Sequence, residues 1–324
     1  MARDLAADCL ALAEKQGATV PLMIGHRMMG STLFYAGDVV ESRAHLDRVI
    51  ALYDPAKHRA LATLVGLDIG AIVLSTRSEV LWTLGYPEAA LVDAEQALKE
   101  ARASGQAASL MRVMSVTFWT LVLCRNYETA RVQCEELFAL ADQKGADQWK
   151  GPAILYRGVI LVLTGNPTDA VQTITSGQAA WQLTGSTLLL PATSAYLARA
   201  HAETGHFDDA WRCIDEAMTA VEATNERWHQ ADIIRMAVEI ALKSPTPDAA
   251  KAEAYFERAL TVARSQQAKS WELRAATSMA RLWRDQGKPQ QGRELLAPVY
   301  GWFTEGFDTL DLKEAKALLG ELAA

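Results

Sequence analysis

Small residues recur through this chain at a spacing of about forty. Gly85, Arg125, Gly165, Gly205, Pro247 and Gly287 follow one another in steps of 40, 40, 40, 42 and 40, the arginine and the proline being the two larger members. Five places after each stands Ala90, Ala130, Ala170, Ala210, Ala252 or Gly292. Ala97, Ala217 and Ala259 recur seven places further on, and a looser copy, Gly37 with Ala44 and Ala51, precedes the series. A period in this range marks stacked supersecondary units, none of which can bury its apolar face alone, so it takes precedence over any search for isolated motifs.

Each unit reads as two antiparallel helices. In "DDAWRCIDEAMTAV", Ala210, Trp211, Ile214, Ala217, Met218 and Val221 fall on one helical stripe. The segment before each turn residue, such as "TSAYLARAHAET", is helical as well. The glycine ends the first helix, where a positive φ is needed. Pro87, Pro167 and Pro289 stand two places on, where the second helix opens and a missing N–H costs little. In "SPTPDAAKAEAYFERAL", Thr246 reads as an N-cap and Pro247 as the first helical residue. A second series, Gly17, Gly105, Gly145, Gly185, Asn225, Gln267 and Gly306, marks the ends of the second helices, with Gln267 the least suited to that place. No repeated segment alternates with period two, so no strand is expected.

The column of small residues lets paired helices approach closely. Gly30, Ser78, Gly158, Ala198 and Ala280, each seven places before a turn residue, add small residues from the first helix. Together these features resemble the tetratricopeptide repeat, with longer helices accounting for a period above the ~34 residues typical of it. The expected fold is all-α: a tetratricopeptide-repeat-like right-handed superhelical solenoid of about seven helix pairs. It is read as one domain over 1–324. Its units lie near 18–65, 66–105, 106–145, 146–185, 186–225, 226–267 and 268–306, with a leading helix over 1–17 and a capping helix over 307–324.

Composition narrows the function. Half of the residues are hydrophobic and 22% are charged, as in a folded chain. The net charge is −7 and no hundred-residue block is strongly basic, which argues against a nucleic-acid partner. Cys9, Cys124, Cys134 and Cys213 form no CxxC pair and read as free thiols of a reducing compartment. The opening "MARDLAADCLALAEKQG" lacks the basic-then-apolar form of a signal peptide. The most apolar run, "AILYRGVILVLTG", contains Arg157 and is too short to span a bilayer. A soluble, cytoplasmic protein without a membrane partner is expected.

Several longer phrases extend beyond the repeat grammar. "ALYDPAKHRALAT", "LWTLGYPEAAL", "KSWELRAATSMARLWRDQGK" and "LLAPVYGWFTEGFDTLDLKEAKALL" resemble the C-terminal repeat region of bacterial signalling proteins that join a class III adenylate/guanylate cyclase domain to a STAND-type ATPase. The resemblance runs over essentially the whole chain, with departures in "LVGLDIGAIVLSTRSEV" at Leu67 and Thr76. It implies a non-catalytic, protein-interacting regulatory module whose parent carries the chemistry in other domains. The chain has neither the cyclase metal aspartates in their sheet context nor a GxxxxGK[ST] loop. It also opens inside what reads as the second helix of a missing pair, and so is expected to be the C-terminal part of a longer parent.

No catalytic or cofactor-binding constellation stands out. The six histidines form neither HExxH nor a zinc-spaced cluster, and no GxSxG occurs. No metal or cofactor is therefore expected. His201 and His206 flank a helix end and read as capping or packing residues. Trp149 and Trp271 each stand sixteen places before a turn residue, and a recurrent slot points to packing.

The first helices line the concave groove in this repeat class. Counting back from the turns places Arg27, Glu79, Trp82, Arg112, Trp119, Arg199, Arg281 and Arg284 there. Arginines on one inner surface suit the carboxylates of an acidic peptide. The expected partner is thus a protein or peptide, the missing domains of the parent, or a second copy of the chain. The alternative is a small effector held in the groove. Residues 151–200 hold only three charges, Arg157, Asp169 and Arg199. Leu188 and Leu190 there are candidates for a self-association patch, unless curvature of the array buries them.

Overall fold

A computed structural model describes all residues except 1, 61, 63–65, 246–248 and 324. The described chain is 81% helix with no strand. It is all-α and built from tetratricopeptide-like helix pairs. It falls into two compact bodies, one of residues 1–82 and 88–150, the other of residues 83–87 and 151–324.

In the first body, α1 (Ala2–Gln16) precedes the pair α2 (Thr19–Ala36) and α3 (Val39–Leu52). The short α4 (Pro55–His58) is followed by α5 (Ile69–Thr83) with α6 (Pro87–Ala103), then α7 (Ala107–Leu123) with α8 (Tyr127–Gln143). The second body is formed by α9 (Asp147–Leu163) with α10 (Pro167–Gln182), α11 (Leu190–Glu203) with α12 (Phe207–Thr224), and α13 (Gln230–Lys243) with α14 (Ala249–Ser265). The last pair is α15 (Lys269–Asp285) with α16 (Pro289–Tyr300), and α17 (Leu310–Glu321) follows it. The expected cap at Thr246 and Pro247 lies outside the described residues.

Both turn series are set by backbone handedness. Gly85, Gly165, Gly205 and Gly287 have φ of 93, 86, 84 and 74°, and Arg125 joins them at 59°. The second series is left-handed throughout, including Asn225 at 58° and Gln267 at 54°. The geometry is a Schellman closure. The N–H groups of Arg125 and Asn126 donate to Val122 and Leu121 at 2.9 and 2.8 Å, and the same pattern recurs at Gly205 with His206 and at Gly287 with Lys288. One end differs from expectation. α16 stops at Tyr300, six residues short of Gly306, because the chain turns inward there to bury Phe303.

The small column is the packing seam. Ala90, Ala130, Ala170, Ala210 and Ala252 are fully buried, as are Ala97, Ala217 and Ala259. In the pair α9/α10 the seam is glycine on both sides. A Cβ on Gly158 would lie 2.4 Å from Cγ1 of Ile174, and one on Gly177 would lie 2.8 Å from the backbone N of Leu155. The copy at Gly37 is a correction to the sequence reading, since Ala44 and Ala51 are exposed. The seam position is taken by Ser42, fully buried, whose hydroxyl donates to the Gly30 carbonyl at 2.7 Å. A hydroxyl with an acceptor at hand can stand where alanine does elsewhere.

Leu189 is the one described non-glycine residue at the mouth of a helix with positive φ, 70°. Glu226, itself buried, receives its N–H on both carboxylate oxygens at 3.1 Å and the Trp228 indole N–H on Oε1 at 2.9 Å.

Candidate functional site

Helices that meet their partners through small residues leave the rest of the first-helix surface free for larger and charged side chains. The residues expected there divide by body.

In the first body, Glu79, Trp82 and Trp119 are buried at 1, 2 and 1% exposure, so they present no open surface. Arg27 on α2 and Arg112 on α7 are half-buried. The pKa of Arg27 is lowered, by burial first and then by the neighbouring charge of Arg112. The two stand on the first helices of different pairs. On α5, Arg77 is held in a fork: Nε and Nη2 donate to Asp93 at 2.6 and 2.9 Å, and Nη1 donates to Asp47 at 2.9 Å.

In the second body every expected arginine has a carboxylate. Arg199 binds Glu203 at 2.9 Å and Arg281 binds Glu314 at 2.9 Å, while Arg284 binds Asp285 and Glu321. Between them in sequence lies a cluster that sequence reasoning missed. Asp232, 1% exposed, accepts from Arg235 Nε at 2.6 Å and lies 3.3 Å from Nε2 of the equally buried His229, and Arg235 also reaches Glu239. Burial works to raise the pKa of Asp232, but Arg235, His229 and Arg274 outweigh it and hold the carboxylate far below its usual range.

Arg274 binds Asp311 at 2.8 Å and lies over the Trp271 ring, 5.3 Å from its centroid. Trp271 is buried and donates its indole N–H to the Trp228 carbonyl at 3.0 Å, consistent with a packing role. One signal did exist for Arg274. It stands thirteen places before Gly287, as Arg112 stands thirteen before Arg125. His229 and Asp232 carry no such mark.

The chemistry available is electrostatic. The rings of Trp228, Trp271 and Tyr196 surround His229 at centroid distances of 4.9, 4.8 and 6.0 Å. Among the described residues no group of three His, Cys, Asp or Glu side chains is placed to hold a metal, and no helix is long and apolar enough to cross a membrane. A shallow groove of about 650 Å³ on α12, lined by Trp211, Arg212, Asp215 and Glu216 among others, is open to solvent and belongs to a second helix. Leu188 and Leu190 are half-buried at the entrance to α11, where the Leu188 carbonyl accepts the Trp181 indole N–H at 2.6 Å. In that stretch the fully exposed apolar side chain is Leu183.

The fold and these surfaces define an all-α, tetratricopeptide-like helical-repeat protein with charged first-helix faces. Solved structures of that fold match the chain at low identity. A Rap conjugation gene regulator of the plasmid pLS20, in complex with the Phr* peptide, is 11% identical over 94% of this chain and 75% of its own, with a TM-score of 0.63. A Rap protein complexed with Competence and Sporulation Factor is 13% identical over 94% of this chain and 78% of its own, at 0.60. The apo form of RapI is 12% identical over 92% of this chain and 99% of its own, at 0.56. No family model matches the chain, and no curated protein does.

These neighbours overturn the resemblance to cyclase–STAND signalling proteins, for which nothing in the fold speaks. The phrase that carried it most strongly, residues 295–319, owes its pattern to packing. Its Leu296, Val299, Phe303, Leu312, Ala315 and Leu318 are all buried in the core of the second body.

Proposed function

We propose that this protein is a non-catalytic regulatory module that holds a peptide or protein against its first-helix faces. The observation that carries the reading is the row of partly exposed arginines on the first helices of the second body, Arg199, Arg281 and Arg284. Packing of small-residue seams does not require such a row, whereas recognition of a polar chain does. Two solved proteins of the fold are complexes, one with the Phr* peptide and one with Competence and Sporulation Factor, which supports a partner of that kind here. Of the expected groove residues, Arg27, Arg112, Arg199, Arg281 and Arg284 remain the proposed contact set, while the burial of Glu79, Trp82 and Trp119 removes them from it. Self-association through Leu188 and Leu190 and a cytoplasmic location complete the proposal.

The test is retention of short peptides from a pooled library on the immobilised full chain, compared with Arg199→Glu and Arg281→Glu. Loss of specific retention in the variants, with an unchanged helical circular-dichroism spectrum, is expected. Equal retention by all three proteins would remove the first-helix faces from the proposal.

A further inference from the structure

α12 is the most acidic second helix of the second body. It carries Asp208, Asp209, Asp215, Glu216 and Glu222 against a single cation, Arg212. Arg212 is engaged locally, holding Asp209 at 2.7 Å and Glu216 at 3.2 Å. Asp208, Asp215 and Glu222 are left over. All three are exposed, and among the described residues no cation lies within 4.0 Å of any of them.

These three stand seven places apart. A step of seven returns to one helix face after two turns, about 10.5 Å along the axis, so they form a single row. The open groove of about 650 Å³ follows this row: Asp208 and Asp215 line it with Trp211, Thr219, Ala220 and Ala223. At one end its wall is the half-buried Trp211 ring, flanked by Lys251 Nζ at 4.5 Å from the ring centroid and by the Tyr255 ring at 6.3 Å. At the other end the small side chains of Thr219, Ala220 and Ala223 let another helix come close.

Helix formation accounts for only part of this charge. Asp208 and Asp209 sit in the first turn, where the helix dipole favours an anion. Asp215 is mid-helix, where aspartate is a poor helix former, and Glu222 is in the last turn, where the dipole opposes it. Cations arriving from outside in the same register offset both costs.

We propose that the outer face of α12 docks a basic helix of a protein partner, with Lys or Arg at every seventh place and an aliphatic side chain between them seated against Trp211 and Ala220. Opposite charges in a seven-residue register select partner and orientation between neighbouring helices. The surface belongs to a second helix, so it is separate from the first-helix faces proposed for the peptide and does not depend on that reading.

The test uses the full chain and three labelled synthetic amphipathic helices of about three heptads each. One has Lys at every seventh place, one has the same composition with Lys five apart, and one has Glu in place of Lys. Binding is read by fluorescence anisotropy for the wild type, for Asp208→Asn/Asp215→Asn/Glu222→Gln, and for Glu128→Gln/Glu135→Gln, which removes two exposed carboxylates from α8 instead. Circular dichroism checks that each variant is folded. The seven-spaced Lys helix is expected to bind the wild type and the α8 variant alike, about tenfold more tightly than the triple variant. The five-spaced and Glu helices bind the wild type no better than the triple variant does. Added salt narrows the difference, because exposed pairs are screened. Asp215→Lys/Glu222→Lys reverses the preference and takes the Glu helix.

Absence of binding by the seven-spaced helix overturns the proposal. Equal binding of the seven- and five-spaced helices does so too, since general attraction to a chain of net charge −7 then accounts for it. Full affinity in the triple variant removes α12 as the site. Tighter binding of spermine than of the seven-spaced helix, lost in the triple variant, makes the row a polyamine site and overturns the helix partner.

Discussion

The buried carboxylate of Glu226 receives the Leu189 N–H on both oxygens at 3.1 Å and thereby holds the left-handed entry to α11. Burial raises its pKa from 4.5 to about 7, against the opposing effect of the Trp228 and Leu189 N–H donors. Between these two values the native chain keeps a proton that the unfolded chain has lost, so stability falls as pH rises through that window. The full shift corresponds to about 3 kcal/mol. In Glu226→Gln that slope disappears, and denaturant midpoints from pH 4.5 to 8 should converge on a flatter line than the wild type gives. A wild-type profile already flat over this range would contradict the argument.

Two helix glycines, Gly158 in the seam of α9/α10 and Gly320 on α17, predict opposite outcomes. Gly158→Ala puts a Cβ 2.4 Å from Ile174 Cγ1 and 3.0 Å from its backbone N, and should cost about 1–3 kcal/mol. Gly320→Ala, with nothing within 4 Å of the new carbon, should be neutral or gain up to about 1 kcal/mol from helix propensity. Urea denaturation of both variants is the check.

Arg77 and Arg131 are both doubly paired but differ in depth. Asp93 keeps only 9% of its side-chain exposure, so Arg77→Met strands a buried charge and should cost about 2 kcal/mol. Arg131, exposed between Glu128 and Glu135, should give a methionine variant whose melting curve overlays the wild type. Equal losses in the two variants would show that depth does not govern these pairs.

Gln267 occupies a left-handed turn at φ 54° without being glycine. Its replacement by glycine removes the Cβ strain and adds unfolded-chain entropy, for a net gain of about 0.5–1 kcal/mol. The midpoint of urea unfolding should rise with the slope unchanged. A lower midpoint would mean that the glutamine side chain, rather than the backbone, is what the turn requires.

The helix pairs were legible because their marks repeat. A glycine column and an alanine column forty residues apart identify joints and seams from residue type alone, and even Arg125 and Gln267 were located by count. The copy at Gly37 was misread because alanines stood near the right spacing, while the residue in register, Ser42, is polar and fits only through its bond to Gly30. Charge pairing was not legible for a different reason. Arg59 pairs with Glu100, Arg274 with Asp311 and Arg281 with Glu314, so the partner of each charge lies roughly one repeat away, outside any helical window. Which arginines are satisfied and which, like Arg27, are not depends on side-chain reach across neighbouring pairs. The phrases that suggested a cyclase parent resembled packing requirements and carried no ancestry.

Six places before the turn residue, successive repeats present Glu79, Trp119, Val159, Arg199, Ala241 and Arg281. The joints on one side of this slot and the small-residue seam on the other stay the same while its side chain changes from acid to aromatic to base. The slot is closed at Glu79, Trp119, Val159 and Ala241, where its side chain belongs to the core. Only at Arg199 and Arg281 does the slot open to solvent, and there each side chain holds an ion pair, with Glu203 and Glu314.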